Sequence, residues 1–284
     1  MNIQKSIDKT VSYGRIFDYP QSKEEIVRWF ISDKPIKAAT ILKHHFPPLS
    51  AIDKSKRVIR HRLSEIKKKS ALKIIKKLEN FPFVWFIGIT GSVAANNAKE
   101  NDDVDIFIIT APFTLWIVRP FFLIYLDLLG VRRNRSMHSG DAKDLICSNL
   151  WLDINNLGSF QKNQNIYTAH EVLQVCSVVN KNHTYERFVQ ENSWTKKYLA
   201  TAYQSTLRSL VGAIRESPTA TSSVYTYTLY YLLAPLNALF FVLQYVFMIP
   251  YNKGEVVGLG KAFFYNPNFQ GKVLKKYSQI SYNQ

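Results

Sequence analysis

Two short apolar runs, Val84-Trp85-Phe86-Ile87-Gly88-Ile89 and Ile106-Phe107-Ile108-Ile109, constrain this chain more than anything else in it. Both are uncharged and rich in β-branched and aromatic side chains, and both read as buried strands. Thr90-Gly91-Ser92 follows the first, then Val93-Ala94-Ala95-Asn96-Asn97-Ala98, which reads as a tight turn opening a short helix. Such a strand–turn–helix junction can cradle an anion. Glycine lets the backbone approach closely, and the first helical turn offers its N–H groups, here with the Ser92 hydroxyl beside them.

The second strand is entered through Asp103-Val104-Asp105, with ten residues between Ser92 and Asp103. Residues i and i+2 of a strand share a face, so these two carboxylates project together. Held side by side they repel, unless a divalent cation lies between them or one is protonated. Mg²⁺ is the natural occupant. A wet strand edge explains one aspartate, but not a same-face pair next to an anion cradle; Asp102 should point to the opposite face.

These residues resemble the nucleotidyltransferases of the DNA polymerase β superfamily, whose signature is an apolar strand ending in Gly-Ser, a short helix, and Asp-x-Asp on the next strand. The likeness is closest to a prokaryotic group of unassigned substrate. There a Phe-Asp-Tyr-Pro turn, here Phe17-Asp18-Tyr19-Pro20, precedes a small helical module. Leu115-Trp116 with Arg119, Arg132-Arg133, Ile146 to Trp151, Tyr167-Thr168-Ala169-His170-Glu171 and Phe188 to Trp194 are similar to that group as well. The resemblance implies an α+β fold with a mixed sheet. It also implies transfer of a nucleoside monophosphate from an NTP to an acceptor hydroxyl, with two Mg²⁺ ions at Asp103 and Asp105. Gly91 and Ser92 would hold the triphosphate, with Asn97 bracing the cradle or touching phosphate. The superfamily takes a third carboxylate from a later strand. In Ile146 to Asp153 the candidates are Asp153 at its end and Asp144 before its start, with Asn149 in the middle, and Asp153 is the expected one.

Charge is the other guide to partners. The chain of 284 residues carries +16, of which +11 falls in residues 1–80. Such a balance favours an anionic partner, whether nucleotide, nucleic acid or lipid headgroup. Residues 1–50 read as a helical module, either a winged-helix-like unit or a docking module, with a capping box at Ser22-Lys23-Glu24-Glu25. Residues 51–80 read as an amphipathic connecting helix whose Ile52, Ile59, Leu63, Ile66, Ile74 and Leu78 pack inward. Lys56, Arg60, Lys67, Lys73 and Lys77 would then form a basic outer face able to meet nucleic acid. Arg119, Arg132, Arg133 and Arg135 lie in or after an apolar helix, Thr114 to Leu129, where they could clamp phosphate or complement the helix dipole. The six histidines and two cysteines have no zinc-ligand spacing.

The catalytic core is expected over 81–160 and a helical domain over 161–284, with Lys261 to Tyr265 and Gly271 to Tyr277 in a last short helix or two. Residues 217–252 hold no charged side chain. Pro235 divides this run, which predicts a packed helical hairpin, with membrane association as the alternative. The Met-Asn-Ile-Gln-Lys opening is unlike a secretory signal, so a cytoplasmic location is expected. The competing functional reading is a non-catalytic nucleic-acid-binding or regulatory protein acting through the basic N-terminal module.

Overall fold

A computed structural model of the chain describes residues 2–134, 137, 141–214, 224–251, 254–264 and 267–282. Helix α1, Ile3–Ile16, starts where the Asn2 side chain accepts the Lys5 N–H. After the Phe17–Pro20 turn comes α2, Lys23–Arg28, whose Ser22 and Glu25 form the anticipated reciprocal capping box. A single turn, α3, Ala38–Ile41, completes the module. Ile7, Ile26, Phe30 and Ile41 close on one another as its small core. It is also stitched to a segment more than 160 residues later: the Ser32 N–H donates to the Tyr198 carbonyl, and the Ile36 N–H to Thr201 Oγ1.

Helix α4, Ala51–Leu78, has the expected length, but its faces are exchanged. Ile52, Ile59 and Ile66 are exposed, whereas Arg60 and Lys67 are turned inward and buried. Arg60 donates to the Asp18 carbonyl and carboxylate and to Asn97 Oδ1. Lys67 donates to the carbonyls of Glu100 and Asp102 and to Asp144 Oδ1. Enclosed carbonyls need donors, and a helix face carrying Arg60, Ser64 and Lys67 supplies them where an isoleucine stripe cannot. Only the last two turns, with Ala71, Ile75 and Leu78, bury an apolar face.

The sheet has six strands in the order β4-β1-β2-β3-β6-β5. Strand β1, Val84–Ile89, leads through a four-residue helix α5, Gly91–Ala94, to β2, Val104–Thr110, antiparallel to β1. Helix α6, Leu115–Leu128, ends at Gly130 in the left-handed region and returns the chain to β3, Ile146–Asp153, parallel to β2. Helix α7, Ile166–Leu173, precedes β4, Cys176–Asn180, which pairs with the other edge of β1. Helices α8, Thr184–Glu191, and α9, Lys196–Ile214, follow. Beyond α10, Val224–Met248, the short strands β5, Val256–Gly258, and β6, Lys261–Phe263, extend the sheet from β3, and α11, Pro267–Tyr282, ends the described chain.

Three expectations are corrected here. Residues 161–284 are not purely helical, because three of the six strands come from them. Lys261–Phe263 is a strand because it finds the free edge of β3, a partner more than a hundred residues earlier in sequence. The apolar run forms no hairpin within the described residues: α10 continues through Pro235 as one helix, and residues 217–223 and 252 lie outside those described. Its polar side chains face α6. Asn237 accepts the Trp116 N–H, one of the N–H groups that a helix start leaves unsatisfied, and Gln244 donates to the Trp116 carbonyl. Its opposite face, with Leu232, Leu239, Leu243, Val246 and Phe247, is exposed, as are Phe121, Ile124 and Leu128 of neighbouring α6.

Candidate functional site

The Gly-Ser turn and the aspartate pair meet at the ends of β1 and β2. The Thr90 N–H donates to the Asp105 carbonyl over 2.9 Å, which ties the turn to β2. Gly91 has φ +64°, and a Cβ there would run into the Asp105 carboxylate, so both conformation and space require glycine. Ser92 is committed elsewhere: its hydroxyl donates to Asp102 Oδ2 over 2.7 Å, and the Lys99 N–H donates to the same carboxylate. Ser92 and Asp102 thus pin the loop between α5 and β2.

Asp103 and Asp105 do share a face, and a carboxylate oxygen of each lies within 4.8 Å of the other and of Cys147 Sγ. Arg133 donates to Asp103 over 2.6 Å and Asn149 donates to Asp105 over 2.6 Å. Burial first, then the Asp103 charge, then that of Glu171, holds the Asp105 carboxyl well above the usual carboxylate range. Burial, Asp105 and Asp103 also raise the Cys147 thiol, so it stays a neutral S–H. Two carboxylates side by side on one face are a donor set suited to a hard divalent cation; the neutral thiol is not.

The remaining anticipated residues divide. Asn97 braces: its amide donates to the Phe17 carbonyl and its oxygen accepts from Arg60. Arg133 is at the pair, but Arg132 instead pairs with Asp127 at the end of α6. Arg119 faces α10, donating to Gln244 Oε1 over 3.0 Å with its guanidinium 4.5 Å from the Phe264 ring centre. It is held by α6–α10 packing and is no phosphate clamp. Arg135 lies outside the described residues. Asp153 is corrected as well. It pairs in register with Thr110, at the opposite end of β2 from Asp105, and accepts the Phe113 and Asn155 N–H groups as a buried cap. Asp144 is occupied by Lys67. Cys147 and Asn149 are the β3 residues that reach the aspartate pair, so β3 brings no third carboxylate there.

A different acid does approach. Asp105, Gly91, Ser92 and Asn149 line a cavity of about 330 Å³, and Glu171 of α7 lines it too. Burial pushes the Glu171 carboxyl up to about 7, and it has no hydrogen-bond or ion-pair partner among the described residues. Beside it, His170 stacks on Tyr13 at 4.3 Å between ring centres, and its Nδ1 bonds the Ile166 carbonyl. Burial lowers the His170 pKa to about 4 and keeps it neutral. Glu171 follows His170 in an ordinary amphipathic helix, and only the docking of α7 against α1 gives it a cavity to face. The signal available in sequence was a glutamate at a position where an α7 core residue would otherwise sit.

No protein-family model matches this chain, and no curated protein or solved structure gives a significant match.

Proposed function

We propose that the chain is a Mg²⁺-dependent nucleotidyltransferase that moves a nucleoside monophosphate from an NTP to an acceptor hydroxyl. The observation that carries this reading is the Asp103–Asp105 pair on one face of β2, in contact with a turn that only glycine fits. Asp103 and Asp105 would hold the metal. Bound there, Mg²⁺ would neutralise phosphate charge and polarise the phosphorus centre. The chain's own contribution is positioning. Gly91 leaves the room that lets the Asp105 carboxylate lie against the turn, Asn149 fixes that carboxylate by donating to Oδ1, and Arg133 orients Asp103 while offering a cation at the same edge. The wider layout follows the same reading, with a nucleotidyltransferase core on β1–β3, the N-terminal helices above it and α7 closing the acceptor side.

The test is incubation of the full chain with each labelled NTP, Mg²⁺ and a mixture of hydroxyl-bearing acceptors, following pyrophosphate release. Asp103→Asn and Asp105→Asn should each lower the rate on the order of 10³-fold. They should also abolish Mn²⁺ binding seen by electron paramagnetic resonance, a readout independent of turnover. Tight Mn²⁺ binding in both variants would sink the reading.

A further inference from the structure

The cavity beside Asp105 is electrostatically unlike the molecule that contains it. The chain carries +16, yet no lysine or arginine lines this cavity among the described residues. Its charged groups are the carboxylates of Asp105 and Glu171, and its histidine is neutral. Gln21 adds a second unanswered acceptor: its Oε1 is buried without a hydrogen-bond partner. Around these acceptors stand aromatic rings, among them Tyr13, Phe17, Trp29, Tyr167 and Phe269. Buried acceptors without donors are costly to leave unmade. A carboxylate set among aromatic faces is satisfied best by an organic cation, which the ring quadrupoles also attract.

We propose that this cavity binds the acceptor and that the acceptor is an amine: an ammonium group donating to Glu171 and Gln21, on a ring-sized body packed between aromatic side chains, with its hydroxyl directed at Asp105. The substrate class rests on the nucleotidyltransferase reading; the amine site does not. A triphosphate has no lysine or arginine to meet in the body of this cavity, so it would keep to the Gly91 edge, with the amine towards Glu171. The 330 Å³ volume accommodates a one-ring or two-ring molecule rather than a polymer.

The experiment uses the full chain without metal or nucleotide and compares tyramine with tyrosol, its uncharged alcohol counterpart, by calorimetric or ligand-observed NMR titration. Tyramine should bind at least about tenfold more tightly. Glu171→Gln, checked for folding by thermal melting, should erase the preference, and Glu171→Asp should keep part of it. Equal binding of the two probes, binding of neither, or a preference that survives Glu171→Gln overturns the proposal. Amine-selective binding in a protein that shows neither Mn²⁺ affinity nor nucleotide turnover would remove the nucleotidyltransferase reading and leave the amine site standing.

Discussion

Glu171 costs the empty protein stability, and the cost has a definite pH dependence. Its folded pKa of about 7 lies above the ordinary 4.5, so the folded state holds its proton longer than the unfolded chain does. Stability therefore falls as pH rises from about 4.5 to 7 and is lowest above that window. Glu171→Gln removes the penalty. At pH 8 it should raise stability on the order of 3 kcal/mol, and at pH 4 it should change little; paired thermal melts at the two pH values check this. Gly91→Ala should behave in the opposite way. It places a Cβ at φ +64° against the Asp105 carboxylate, so it should cost about 1 kcal/mol or more and weaken Mn²⁺ binding together with stability. A variant that melts like the parent would show that the turn tolerates a side chain.

At the scale of the element, α4 shows how a helix chooses its buried face. Its isoleucine stripe and its Arg60–Ser64–Lys67 stripe compete for the interior, and the latter wins because Lys67 meets two carbonyls and a carboxylate at once. Lys67→Met should therefore destabilise by about 3 kcal/mol, since the loop carbonyls lose their donor, whereas Lys73→Met on the exposed side should fall within about 0.5 kcal/mol. Urea titration separates the two. Helix α10 makes a second case. Its Asn237 and Gln244 are spent on Trp116 of α6, so the opposite face is left largely apolar to solvent, and Tyr230–Met248 is long and apolar enough to cross a bilayer while 6% of that window is buried. Such a plate on a basic protein should partition to anionic lipid. The chain should co-float with phosphatidylglycerol vesicles, and replacing Leu239, Leu243 and Val246 with Gln should leave it at the bottom of the gradient. A parent chain that never floats contradicts the expectation.

For the molecule as a whole, what could be read in the sequence was what depends on neighbours in sequence. The strands around Gly91 and Asp105, the Ser22 capping box and the length of α4 follow from local pattern, and they stand. The faces of α4, the destination of Arg119, the strand Lys261–Phe263 and the role of Glu171 depend on contacts across the chain. Arg119 meets Gln244, and β6 meets β3, over separations that no periodicity encodes. Asp153 was misjudged for a related reason: a strand's direction relative to its neighbour decides which end of it reaches the site, and β3 runs parallel to β2. The same long-range stitching ties the N-terminal module to distant elements, through α1 with α11 and Ser32 with Tyr198 of α9. Removing residues 1–50 should therefore leave no cooperative melting transition in the remainder, measured by circular dichroism; a sharp transition would mark the module as dispensable.

The edge of β3 is closed by β6, which the ribosome makes more than a hundred residues later. At about 5–20 residues per second, β3 waits roughly 5–20 s with its backbone donors and acceptors unmatched. A nascent chain in that interval is open to pairing with its neighbours on a polysome. Stop codons placed before residue 261 should give insoluble products even when everything that forms the aspartate site has already been made, so solubility would be decided by when β6 emerges and not by when the site is complete.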